Sequence, residues 1–346
     1  MRYVTNILLV VDNPSLGSNG LSRATELAKR NGATLTLIHA FEGYAHDVIG
    51  SLSEPDAAEM EQVEYEAGLS ALEQMATEPR AAGLEVRTCV RVGNPFIEVT
   101  REVLRSGYDL VMKDTSPESI AGSRLFTSQE MHLMRKCPSP LWLLKPARKT
   151  RLGVVMAAID PAPSDEERQE LNRRILELAS EVAADEGAIL HVAHVWRLRS
   201  ESSLDLMRRA LSAGHVQRLV DEERLRRVAL VEELVRPYRG GAVPVSVELV
   251  KGQPSRVLPA LTRRLRVDLL VMGTVARSGI PGLIIGNTAE NVLDDVMCSV
   301  LAVKPRGFVT PVRLPADELR GGVGNAPSPR RLANAAVSPI HSRSSS

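Results

Sequence analysis

The chain repeats itself, and any fold it adopts has to accommodate that. Val92-Gly-Asn-Pro95 returns as Lys251-Gly-Gln-Pro254, and Tyr108-Asp-Leu110 returns as Val267-Asp-Leu269, both 159 residues further on. Gly32-Ala-Thr-Leu-Thr-Leu-Ile-His39 matches Gly187-Ala-Ile-Leu-His-Val-Ala-His194, and Cys137 with Lys145-Pro146 matches Cys298 with Lys304-Pro305. The order is the same in both halves, and self-similarity at a fixed period marks a structural unit used more than once. Two copies of one domain, 1–148 and 149–305, meeting near Lys149 to Leu152, account for the pattern.

Within each copy, short apolar runs bounded by turn residues alternate with longer helical stretches, the pattern of an α/β fold with a parallel sheet. Five strands are expected in the first copy, near Asn6–Val11, Thr34–Ala40, Glu85–Val92, Asp109–Met112 and Leu141–Leu144. Five more are expected in the second, near Val154–Ile159, Ile189–Trp196, Val243–Val250, Asp268–Met272 and Val300–Val303. Right-handed crossovers then place helices on both sheet faces. The longest connection, Ser200 to Arg239, interleaves its charges as Asp221-Glu-Glu-Arg-Leu-Arg-Arg227 and reads as a long solvated helix. After Arg306 the chain is dominated by Pro, Gly, Ser, Ala and Arg, and 306–346 reads as a disordered tail, a solvated extension with arginines and serines that a partner or kinase could use.

Composition removes several classes of function. A formal net charge of +1 over 346 residues gives no bulk attraction for polyanions, so nucleic acid is not an expected partner. Three separated cysteines, Cys89, Cys137 and Cys298, form neither a metal-ligand spacing nor an even-numbered disulfide framework, which fits a reducing compartment. The N-terminus, MRYVTNILLVVDN, reads directly as a first strand, and no apolar run is long enough to cross a bilayer, so a cytoplasmic location is expected. His191 and His194 are three apart on an expected strand and point to opposite faces, so they cannot share a metal, and no metal site is expected. His39, His132 and His215 are scattered singly and read as structural, and Trp142 and Trp196 as core or interface.

The stretch Val267 to Pro305 carries the chemistry. Val267-Asp-Leu-Leu-Val-Met272 is an apolar run of the kind buried on both faces, and it stops at Gly273. From Gly273 to Gly286 come four glycines, Pro281 and the single cation Arg277, a composition that lets backbone N–H groups approach and hold a phosphate. Asn287-Thr288 then supplies N-cap chemistry to a helix whose buried face is Val292, Leu293 and Val296, adding the positive end of the helix dipole. The bland reading of the same glycines is a tight strand-to-helix connection.

These residues resemble the nucleotide loop of the universal stress protein family, whose ATP-binding members carry Gly-x2-Gly-x9-Gly-[Ser/Thr] between the fourth strand and fourth helix. Gly273 and Gly286 match the first and third glycines, while Ala276 stands for the second and Asn287 for the hydroxyl residue. The end of the first copy, Arg135-Lys-Cys-Pro-Ser-Pro140 ahead of its last strand, is similar to the signature of the tandem-domain E-type members. The resemblance implies two tandem copies of a five-stranded parallel-sheet domain of the Rossmann-like, adenine nucleotide alpha hydrolase type. It implies a nucleotide contacted by Asp160 at the sugar and base, with Val195 packing near the adenine and Met272, Gly273, Thr274 and Ala276 lining ribose and phosphates. Arg277, Gly286, Asn287 and Thr288 complete the expected set, although Arg277 reads equally as a solvated loop residue and Asp160 as a turn cap ahead of Pro161.

The first copy has Met112-Lys113-Asp114-Thr115 where Gly273 stands and Phe126-Thr127-Ser128 where the second copy opens its helix, so phosphate binding is expected in the second half alone, Asp114 being repulsive to phosphates. Two classes of function remain. One is a stress-response ligand-binding protein whose second half holds ATP or another phosphate-bearing small molecule and acts through protein partners. The other is a non-nucleotide interaction or scaffold protein with decayed sites or an apolar, lipid-like ligand. No catalytic set emerges, so the chain is expected not to be an enzyme, and its two halves are expected to pair along their last strands as an intramolecular pseudo-dimer.

Overall fold

A computed structural model describes residues 4–44, 54–115, 126–146, 151–161, 165–197, 213–274 and 287–315, the side chains of residues 54, 55, 213, 287 and 288 aside. The first half runs β1 (Asn6–Val10), α1 (Gly20–Asn31), β2 (Thr34–Phe41), α2 (Glu54–Ala81), β3 (Val86–Val92), α3 (Pro95–Ser106), β4 (Leu110–Asp114), α4 (Ser128–Lys136) and β5 (Leu141–Leu144). The second runs β6 (Val154–Ala158), α5 (Glu166–Glu186), β7 (Ile189–Trp196), α6 (Ala213–Val235), β8 (Val245–Lys251), α7 (Pro254–Arg264), β9 (Leu269–Gly273), α8 (Asn287–Asp295) and β10 (Ser299–Val303). Two 3₁₀ turns, Pro14–Leu16 and Arg236–Tyr238, complete the described elements. Of the long connection expected to be helical, α6 covers Ala213–Val235, and 198–212 lie outside the described residues. The expected tail lies outside them from 316 onward.

The ten strands form one sheet in the order β3-β2-β1-β4-β5-β10-β9-β6-β7-β8. The two five-stranded halves are thus joined along their last strands, as the sequence leads one to expect. Each half is parallel within itself, but β5 and β10 pair antiparallel, with Val300 opposite Leu143, Leu301 opposite Trp142 and Ala302 opposite Leu141. Both strands are apolar and buried along their length, so either one left at an edge would template aggregation. Pairing them removes both edges at once. Met1–Val312 is a single compact unit, and residues from Arg313 onward form a second, described only as far as 315.

Helices cover both faces of the sheet. Apolar residues of α1, α2, α5 and α6, among them Leu27, Leu72, Ile175 and Val231, pack on one face, where Leu9, Leu37, Val155 and Val271 meet them. Those of α3, α4, α7 and α8, among them Val99, Leu133, Leu261 and Val292, pack on the other with Leu8, Val111, Met156 and Leu270. Adjacent residues of β1, Leu8 and Leu9, fall in different clusters, as the period of two in a strand requires.

The repeated motifs have local causes. Gly93 and Gly252 close β3 and β8 at φ 137° and 156°, backbone that a Cβ disfavours, and each donates its N–H at 2.9 Å to the carbonyl ending the neighbouring strand, Phe41 and Trp196. Asn94 and Gln253 follow as N-caps, and Pro95 and Pro254 open α3 and α7, where a missing N–H costs nothing. Asp109 and Asp268 work at the opposite sheet edge. The Asp109 carboxylate accepts from the N–H groups of Thr5 and Asn6, at 2.8 and 3.0 Å, and that of Asp268 from Gly153 and Val154, at 2.7 and 3.0 Å. Both aspartates hold strand ends in place and take no part in the site.

Candidate ligand site

In an open parallel sheet the carboxyl ends of the strands form the binding crevice. Asp160 stands there, two residues past β6. Its backbone is gripped by Asn172 of α5, a side chain only 2% exposed, whose amide nitrogen donates to the Asp160 carbonyl and whose oxygen accepts from the Asp160 N–H, both at 3.0 Å. The carboxylate itself lies 3.6 Å from the Arg168 guanidinium, which also reaches Asp165, the N-cap of α5, at 3.2 Å. Beneath it, His194 of β7 is 1% exposed, with Nδ1 3.1 Å from the Ile159 carbonyl. A carbonyl only accepts, so Nδ1 carries the proton and Nε2 of the neutral ring is left without a partner among the described residues. Burial, with Arg227 adding to it, holds this imidazole below the usual histidine range and so keeps it neutral.

The other expected residues fall at three levels of the crevice. Val195 and Met272 belong to the same apolar cluster on the opposite sheet face from His194, 9% and 5% exposed, so they are brought together as one wall. Gly273 ends β9, where an added Cβ would meet Leu171 Cδ2 of α5 at 2.8 Å, so its missing side chain admits the helix. Thr274 is fully buried, and its hydroxyl accepts from the Lys304 ammonium at 2.6 Å. Ala276, Arg277 and Gly286 lie outside the described residues. Asn287 and Thr288 are the first two residues of α8, their side chains outside the description, and Val292 and Leu293 of that helix, with Val296 just after it, are fully buried. Among the described residues no group of three or more His, Cys, Asp or Glu is placed to hold a metal ion.

The first half fills the corresponding place with its own charges. Helices α4 and α8 begin 159 residues apart, at Ser128 and Asn287, so Thr127 and Glu130 correspond to Gly286 and Ala289. Thr127 caps α4 and Glu130 returns the bond, its carboxylate accepting from the Thr127 N–H at 2.7 Å. That carboxylate is fully buried and lies 3.7 Å from the Lys113 ammonium, which also pairs with Asp12. A built-in anion thus sits at the helix start. Asp114 differs from expectation: its carboxylate does not face this place but accepts from Ser18 Oγ at 2.7 Å and the Gly20 N–H at 3.1 Å, tying down the start of α1. A carboxylate with two donors in reach turns toward them.

The universal stress protein family profile matches residues 4–145 and again residues 154–304. The chain belongs to the universal stress protein family. Among curated members it is similar to universal stress protein E of Escherichia coli K12, 27% identical over 92% of this chain and 99% of that one. It is also similar to the universal stress protein E homolog of Haemophilus influenzae, 24% identical over 87% of this chain and 97% of that one. The fold is that of a functionally unknown protein from Pseudomonas aeruginosa PAO1, with a TM-score of 0.68 at 24% identity, covering 88% of this chain and 94% of that one. A universal stress protein from Archaeoglobus fulgidus shares it at a TM-score of 0.59 and 18% identity, over 87% and 99% of the two chains. Among the described residues no helix is long and apolar enough to cross a membrane.

Two participants, Asn172 and Glu130, were missed in the sequence. Asn172 carries no motif, and its role rests on a contact with backbone twelve residues away. Glu130 could have been read as the fourth member of a capping box, Thr127-Ser-Gln-Glu130. His39 and His194 occupy matched positions in the repeat, a signal that both serve one structural role. His39 Nδ1 lies 2.9 Å from the Val11 carbonyl just as His194 meets Ile159, each bracing the strand end that leads to Asp12 or Asp160.

Proposed function

We propose that this is a cytoplasmic stress-response protein whose second half binds ATP or another phosphate-bearing small molecule and which acts through protein partners without useful turnover. One observation carries the reading. The two halves share a fold, yet at the start of the last helix the first places the buried Glu130 carboxylate and the second has Ala289. A helix start attracts anions through its free N–H groups and dipole, so a half that supplies its own carboxylate has no room for phosphate, while a half with alanine leaves that role to a ligand.

In this reading Asp160, held by Asn172, meets the sugar and base, Val195 and Met272 form the apolar wall, and 273–288 take the phosphates. Binding without turnover fits the charges. Phosphoryl transfer needs a positioned nucleophile and concentrated positive charge. Arg168, the cation paired with Asp160, is already shared with Asp165. A cradle that stabilises ground and transition states equally gives affinity and no rate.

Mass spectrometry of protein purified under native conditions, followed by calorimetric titration with ATP, tests this. The expected result is one nucleotide per chain, lost in Gly286→Asp, which puts a negative charge among the phosphates. Co-purified lipid, or no heat with ATP, would favour the scaffold reading. Hydrolysis at about 1 s⁻¹ or faster, the usual enzyme scale, would overturn the absence of turnover.

A further inference from the structure

The seam between the halves carries two matched lysines, each reaching across it to the last helix of the other half. Lys145, just past β5, donates to the Val296 carbonyl at the end of α8 at 2.8 Å, and Lys304, just past β10, donates to the Met134 carbonyl in the last turn of α4 at 2.5 Å. A helix C-terminus favours a cation, so both contacts have the same cause. Their surroundings then diverge. Lys304 also donates to the Thr274 hydroxyl at 2.6 Å, whereas the matched Thr115, likewise buried, has an Oγ1 without a partner among the described residues. Thr274 directly follows β9 and precedes 275–286, so only in the half with the glycine-rich segment does the seam lysine hold the root of that segment.

We propose that Lys304 is a proton-responsive tie joining the first half's last helix to Thr274 just past β9, so that acid and base shift how firmly the two halves are held at their seam. Lys304 is 3% exposed, and its ring neighbour is Phe308, 5.0 Å away. Cys137, at the end of α4, faces it, but burial pushes that thiol up to about 12, so it stays neutral. Arg174 of α5 donates to the Lys304 carbonyl at 3.0 Å, Arg306 beyond β10 pairs with Glu170, and Arg135 of α4 pairs with Glu290 of α8. The lysine across the seam, Lys145, has Cys298 and Glu130 near it and is lowered mainly by burial. The first half thus has Glu130 where the second has Ala289, and the Lys304 ammonium is held by neutral oxygens.

Burial without a paired carboxylate brings Lys304 down to about 7 from an ordinary 10.5. Above pH 7 the native amine is neutral while the unfolded chain still binds the proton, so stability rises from pH 7 toward 10.5. Below pH 7 both states are charged, and the whole cost of burying the charge is present. As a cation Lys304 donates to Met134 and Thr274 together, and as an amine it can also accept from the Thr274 hydroxyl, so the proton changes the bond at the root.

The test uses the full chain without ligand, so loss of ATP binding would remove the proposed function and leave this result standing. Urea midpoints between pH 6 and 9.5 should show the wild type gaining stability relative to Lys304→Met as pH rises through 7, and parallel profiles would overturn the proposal. Should Lys304→Met fail to fold, Thr274→Val keeps the lysine and cuts the tie. Hydrogen exchange of α4 and β9, the elements the tie joins, corrected for intrinsic rates, should differ several-fold between pH 6.5 and 8.5 in the wild type and lose that difference in Thr274→Val. The same difference in both proteins would show that the tie has no such role.

Discussion

Asn172 shows how much the placement of Asp160 depends on a residue that carries no motif. Its amide satisfies both backbone groups of Asp160, and it is a buried residue of α5, so cutting it back leaves both groups without that partner. An unsatisfied group costs about 1–3 kcal/mol, so Asn172→Ala should lose about 2–4 kcal/mol by urea unfolding and weaken ATP binding with it. A loss within about 0.5 kcal/mol, the range of ordinary surface substitutions, would mean that Asp160 is placed by the strand alone. His194 supports the same point from below, and its neutrality follows from burial.

At the scale of the element, α4 and α8 are the same helix put to different use. Both present buried apolar residues to one sheet face, Leu133 and Met134 in one and Val292 and Leu293 in the other. Their starts diverge at every matched position from 127 to 131, and Glu130 against Ala289 is the difference that removes a carboxylate from the cap. Glu130→Ala removes the α4 cap and one partner of the buried Lys113, and breaking a buried pair costs about 3–5 kcal/mol. Adding Lys113→Met should recover a large part of that loss in denaturant midpoints, because the buried ammonium, left with the half-exposed Asp12 as its carboxylate partner, is then gone. A double variant no more stable than Glu130→Ala would show that the cap, and not the ion pair, is what matters.

At the scale of the molecule, the β5–β10 pairing turns two domains into one sheet. Polar ties flank it: Lys145 N–H to Ser299 Oγ at 3.1 Å, Arg135 to Glu290, and Arg23 to Glu186 at 3.2 Å. Desolvation offsets most of what such part-buried ion pairs gain, so the apolar seam is the main source of cohesion. Residues 1–148 and 149–315 produced separately should each self-associate or precipitate, and mixing them should recover a one-to-one complex in light scattering. Two monodisperse monomers would contradict this.

What the sequence by itself determined was everything governed by local periodicity and by the dihedral demands of single residues. The repeat, the positions of the ten strands to within about two residues, the Gly-Asn-Pro and Gly-Gln-Pro turns and the buried face of α8 are all of this kind, since each depends on residues a few places apart. Asp160, Val195 and Met272 were singled out by resemblance to the universal stress protein family together with their places at strand ends. Tertiary structure decided the rest, because the deciding contacts join distant residues whose rotamers no pattern encodes. Asp114 turns to Ser18 across 96 residues, and Lys304 finds Met134 across 170. A charge read from sequence has a sign but no direction, and in the folded chain each of these groups points to whichever donors or acceptors burial leaves within its reach.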